Sequence, residues 1–146
     1  MIPEIKSGKW NGRPASINVV GVGEEGSDSF VVWARIGAEA PARLTIRRHF
    51  FWRIALWGMP RVHIPAVPSL AVRSNDAAFA VRALSDEVLA RTLPLAITSV
   101  KDAVSIDGGW VIVTRSTDVP ADGVAAAWSL ARLLVTRLQL PFAGKA

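Results

Sequence analysis

Asp102, Asp107, Asp118 and Asp122 fall close together in the chain, and carboxylates brought near one another can move protons or hold a cation. Each of the four also stands where a turn or a helix cap favours aspartate, which accounts for it without chemistry. His49 and His63 are the only histidines, fourteen residues apart, with no HExxH, CxxC or carboxylate pair beside either. Zinc would need further ligands that these neighbourhoods do not offer, so no metal is expected. Ser16, Ser27, Ser29, Ser69 and Ser129 lie outside any GxSxG elbow, and Ser74 and Ser85 read as helix caps. Gly21-Val22-Gly23-Glu24-Glu25-Gly26 has the spacing GxGxxG. That fingerprint needs a helix N-terminus to carry a pyrophosphate, whereas the residues that follow it, SDSFVVWARI, alternate as a strand. A glycine-rich hairpin turn is the expected reading, and no cofactor follows from it. An enzyme would have to assemble its site from distant residues such as Asp76, Asp107 and His63.

The feature that stands above this background is a charge and aromatic window. From Arg43 to Arg61 there are Arg43, Arg47, Arg48, Arg53 and Arg61 and no acidic residue, interleaved with Phe50, Phe51, Trp52 and Trp57. The remaining chain holds twelve basic and twelve acidic residues, so the net charge of +5 resides in this window. One reading is structural, with the aromatics in the core and the arginines on the solvated side of a strand. The functional readings are attachment to an anionic membrane, where tryptophan suits the headgroup layer, contact with a protein partner or a second copy, and nucleic-acid binding by phosphate contacts and stacking. Nucleic acid ranks below the others, because no RRM, KH or helix-turn-helix signature is present. The candidate interaction surface is thus Arg43, Arg47, Arg48, Trp52, Arg53, Trp57 and Arg61.

These residues need a scaffold. With 146 residues the chain suits one domain, 1–146, able to bury about two thirds of the surface its unfolded form exposes. It has no cysteine, which excludes disulfides, a thiol nucleophile and cysteine-bound metals. The N-terminus lacks the apolar core of a signal peptide and no window reaches the roughly 20 apolar residues of a membrane span, so the expected setting is cytoplasmic or peripheral to the inner membrane.

Periodicity supplies the elements. Residues 15–20 and 30–36 alternate in strand fashion and read as a hairpin, and 43–48 reads as a third strand continuing an antiparallel meander. Residues 49–68 have no single period. Residues 70–73 form a short strand, one short helix starts at Ser74-Asn75-Asp76 and a second after Ser85-Asp86 interrupts and recaps it, and Asp107-Gly108-Gly109 joins a hairpin of 104–106 with 110–114. Pro120 to Leu138 is a long helix whose stripe is Val124, Ala127, Trp128, Ala131, Leu134, Val135 and Leu138, with Pro141 and Gly144 marking its end. The fold class is α+β, a largely antiparallel sheet with two short helices and a long C-terminal helix packed on one face.

Residues 70–140, through LAVRSNDAAFAVRALSDEVLARTL, VSIDGGWVIV and the closing helix introduced by DVPAD, resemble an uncharacterised family of bacterial domains, and Gly12-Arg13 fits it as well. The chain has HIPAVPSL where that group often carries glycine-aspartate and phenylalanine-aspartate pairs. Relatives in the group often lie beside membrane-spanning segments, so the resemblance implies no activity but keeps a membrane setting open. The expected function is a non-catalytic interaction or accessory domain, with a basic nucleic-acid-binding protein as the alternative.

Overall fold

The computed structural model describes residues 4–10, 13–21, 30–48, 59–99, 102–117 and 120–141, with side chains placed for 32–48, 59–99, 102–116 and 122–141. The fold is α+β. Strands β1 (Glu4–Trp10), β2 (Arg13–Gly21), β3 (Phe30–Gly37), β4 (Leu44–Arg48), β5 (Arg61–Val62) and β6 (Leu70–Ser74) come first. Helices α1 (Ala77–Ser85) and α2 (Glu87–Ala96), strands β7 (Ala103–Asp107) and β8 (Trp110–Thr117), and helix α3 (Pro120–Arg137) complete the chain.

All eight strands join one antiparallel sheet in the order β1-β2-β3-β8-β7-β4-β6-β5. This corrects the meander expected from sequence. β4 does not pair with β3: the late hairpin β7–β8 inserts between them, so Ala34 lies opposite Val113 while Leu44 lies opposite Ile106 and Ser74. β3 and β8 match over eight residues, whereas β4 matches β7 over four, so the longer partner goes to the longer strand. β1 is a further strand that the sequence reading did not include. Its residues EIKSGKW show little hydrophobic alternation, and its pairing with β2 is set by position in the sheet rather than by pattern.

Strand alternation sends one side of this sheet to the core. Val32, Ala34, Ile36, Leu44, Ile46, Val72, Val104, Ile106, Val111 and Val113 are buried and pack with Phe79, Leu84, Leu89, Leu93, Leu130, Leu134 and Val135 of the three helices. α3 lies against β2, β3 and β8, and α1 against β5 and β6. On α3 the stripe is Ala127, Leu130, Ala131, Leu134 and Val135, with Val124, Trp128 and Leu138 only partly buried. The observed stripe thus turns slightly toward Leu130, which the spacing argument left out. The fully buried methylene groups of such a stripe supply most of what holds a helix to a sheet, at about 0.8 kcal/mol each.

Helix ends are fixed by side chains and by backbone geometry. Asp76 Oδ1 accepts from the Phe79 N–H at 3.2 Å and Asp86 Oδ2 from the Leu89 N–H at 3.0 Å, so the aspartates are the N-caps. Ser74 and Ser85 do other work, contrary to the sequence reading. The Ser74 hydroxyl donates to the Arg43 carbonyl at 2.6 Å and accepts from the Asp76 N–H, joining the start of β4 to the turn before α1. The Ser85 hydroxyl donates back to the Val81 carbonyl. α3 stops at Gln139, whose φ of 54° is left-handed. There Leu140 N–H bonds the Val135 carbonyl and Gln139 N–H the Thr136 carbonyl, the paired bonds of a Schellman end.

The Asp86 cap also holds α3. Its carboxylate accepts from Arg137 Nη2 at 2.6 Å and Nε at 3.1 Å. The Arg137 hydrogen bond, followed by the Leu89 amide, holds the Asp86 carboxyl below its usual value of 3.8. Because the folded pKa lies below the unfolded one, the contribution is complete above about pH 4 and is lost as pH falls through the folded pKa. A series of thermal midpoints from pH 7 to 2.5 should therefore show a wild-type advantage over Arg137→Gln that is constant down to about pH 4 and shrinks below it. An advantage that persisted undiminished at pH 2.5 would mean that the pair does not contribute as a charged unit.

Candidate interaction surface

No described helix lies on the second face of the sheet. The strand registers place Trp33 and Arg35 of β3, Trp110, Ile112 and Thr114 of β8, Ala103, Ser105 and Asp107 of β7, Thr45 and Arg47 of β4, Ala71 and Arg73 of β6, and Arg61 of β5 on it. Arg35, Arg47 and Arg61 are exposed and Arg73 is half-buried, while Asp107 is the single acid among these described positions. Trp110 is 36% exposed, one of the large apolar side chains left open to solvent. The Arg35 guanidinium carbon sits 5.9 Å from the centre of the Trp33 ring, within cation–π range. Trp33 Nε1 is buried without a hydrogen-bond partner among the described residues.

The arginine window divides between the two sides of the molecule. Arg47 and Arg61 stand on the open face. Arg48, also exposed, reaches the other way, and its Nη1 donates to the Thr98 carbonyl at 3.0 Å just past α2. Arg43 is half-buried just before β4, where its N–H donates to Asn75 Oδ1 at 2.8 Å. Trp52, Arg53 and Trp57, with His49 and the rest of 49–58, lie outside the described residues, and so does Asp118. Sequence spacing did not bring Arg35, Arg73, Trp33 or Trp110 into the candidate surface. The alternation of FVVWARI separated Trp33 and Arg35 from the apolar side, but only the sheet order shows that they share a face with Arg61 and Arg73.

The candidates for chemistry are dispersed. Asp76 caps α1, Asp107 is exposed at the β7–β8 turn, and His63 is exposed just after β5. No hydrogen bond or ion pair joins them among the described residues. Asp102 is buried and belongs to the architecture, since its carboxylate accepts from the N–H groups of Thr98, Ser99 and Ser116. Among the described residues no group of three His, Asp or Glu side chains could hold a metal ion. Gly21, which opens the glycine-rich motif, pairs with Phe30, and the next described element is strand β3. Residues 22–29 lie outside the described residues. An open cleft lined by Glu39, Arg82, Gln139 and Pro141 lies at the end of α3, away from the arginine face. No described helix is long and apolar enough to cross a membrane.

Comparison with solved structures finds a likeness to the crystal structure of the mycobacterial trehalose monomycolate transport factor A, TtfA, with a TM-score of 0.68 and 14% identity. The match covers 97% of this chain and 75% of that one, and at this identity it shows the fold alone. No family model and no curated protein matches the sequence.

Proposed function

We propose that the protein is a non-catalytic accessory domain that attaches peripherally to an anionic membrane surface through the open face of its sheet. The observation that carries this reading is the imbalance on that face, where among the described positions Arg35, Arg47, Arg61 and Arg73 stand against Asp107 alone. A sheet face on which no described helix lies offers a surface for contact, and its charge selects an anionic partner. Each arginine near an anionic bilayer contributes about 1 kcal/mol, so four supply about 4 kcal/mol, the equivalent of about millimolar affinity. Aromatic insertion has to add the rest. Trp110 is placed for it, and in this reading Trp52, Arg53 and Trp57 serve it too. The shared fold of a transport factor supports an accessory role rather than a catalytic one.

Flotation with vesicles tests the proposal. Wild-type protein should float with phosphatidylcholine vesicles containing phosphatidylglycerol and not with phosphatidylcholine alone. Raising the salt from about 0.05 M to about 0.5 M should release it, because the Debye length then falls well below 10 Å. The double variant Arg47→Glu with Arg61→Glu should bind at least tenfold more weakly while keeping its thermal midpoint, since both side chains are exposed. Failure to float, combined with salt-sensitive binding of a mixed-sequence oligonucleotide, would replace the membrane reading with a nucleic-acid one.

A further inference from the structure

Resting on the membrane reading, we propose that Arg47, Arg61 and Arg73 form a seat for one lipid-borne phosphomonoester headgroup. β6 is flanked by β5 on one side and β4 on the other, and its register places Arg61 directly opposite Arg73. Thr45 lies opposite Arg73 on the other side, and Arg47 lies opposite Ala71, which makes Arg47 the diagonal neighbour of Arg73. Directly opposed residues have Cβ atoms about 4.5–5.5 Å apart and diagonal ones about 7–8 Å, so three guanidinium groups project from one small patch of sheet. The half-buried Thr45 and Ala71 lie among them and are short.

Like charges directly opposed across two strands repel, and arginine does not escape by losing its proton. The remedy proteins ordinarily use, a neighbouring carboxylate, is missing among the described outward positions of β4, β5 and β6. Arg47 and Arg61 make no ion pair with any described residue. Among the described residues Arg73 has one hydrogen bond, from Nη1 to the Met59 carbonyl at 3.4 Å, which tethers the guanidinium and leaves its other N–H groups without a described acceptor. A phosphodiester brings one negative charge and two free oxygens. A phosphomonoester brings about −1.5 to −2 and three oxygens, enough to accept from two opposed arginine forks together. Diffuse attraction counts charges only. This arrangement reads their geometry.

The test compares vesicles containing phosphatidic acid with vesicles containing phosphatidylglycerol, matched for surface charge, using wild-type protein, Arg73→Lys and Arg61→Gln. Wild type should prefer phosphatidic acid by about five- to tenfold. Arg73→Lys keeps the charge but not the planar fork, so it should lose most of that preference while its binding to phosphatidylglycerol stays within about twofold. Arg61→Gln, at an exposed edge position, should lower the preference as well, which keeps the idea testable if the β6 variant folds poorly. Equal binding of wild type to both vesicles would overturn the seat and leave the membrane reading standing. Binding to neither would overturn both. Glycerol phosphate in solution, bound as tightly as the vesicles, would overturn the lipid-borne source.

Discussion

Replacing Leu134 by alanine is expected to lower the unfolding free energy by about 2–5 kcal/mol, read from the urea midpoint at unchanged slope. Leu134 is fully buried in α3, within the apolar cluster that joins the helices to the strands. α3 lies on β2, β3 and β8, so this side chain belongs to the layer that joins the helix to the sheet. The loss combines the transfer energy of the removed carbons with the cavity left by neighbours that relax only in part. Thr136, two residues on and exposed, provides the control, since alanine there should change stability by no more than about 0.5 kcal/mol. A Leu134→Ala protein within 1 kcal/mol of wild type would mean that α3 does not close the core.

Removal of the Asp102 carboxylate should cost about 2–4 kcal/mol. Asp102 is 2% exposed and gathers three backbone N–H groups, those of Thr98 and Ser99 at 3.0 Å and of Ser116 at 2.8 Å. It ties the connection after α2 to the far end of β8, two segments that the sheet alone does not join. Alanine would leave those donors without an acceptor, and each unmet buried donor costs about 1–3 kcal/mol, reduced where water can reach the loop. Asparagine is a sharper probe. Its amide oxygen can replace one carboxylate oxygen, but its NH2 then faces an N–H donor, so Asp102→Asn should also be destabilised rather than neutral. Amide exchange at Ser116 should quicken in both variants. Protection at Ser116 equal to wild type would show that the β8 end is held by the sheet and not by this carboxylate.

Much of the architecture was legible in the chain. Alternation in FVVWARI and in the two arms around Asp107-Gly108-Gly109 gave strands close to those observed, because a half-buried strand has a period that any register preserves. The long helix was legible for the same reason, and its stripe differed by the buried Leu130 and by the partial burial of Val124, Trp128 and Leu138. Helix starts were located to within two residues, but the cap was assigned to serine where aspartate acts, since both suit that geometry and only coordinates show which oxygen accepts. β1 was not legible, because a strand placed by pairing with β2 needs no hydrophobic pattern of its own.

The sequence by itself determined that the chain forms an α+β domain core from alternating strands and amphipathic helices, that it has no thiol chemistry, and that its excess positive charge is concentrated between Arg43 and Arg61. Those properties are local, carried by composition and by neighbours a few residues apart. Only the tertiary structure decided that β7 and β8 separate β3 from β4, that Arg48 turns toward α2, and that Arg73 stands opposite Arg61 on the same face as Arg35 and Arg47. The physical reason is that strand pairing is a long-range choice. Each strand states which of its side chains share a face, while the partner strand, and so the charge that meets across it, is settled by how the whole sheet buries its apolar side.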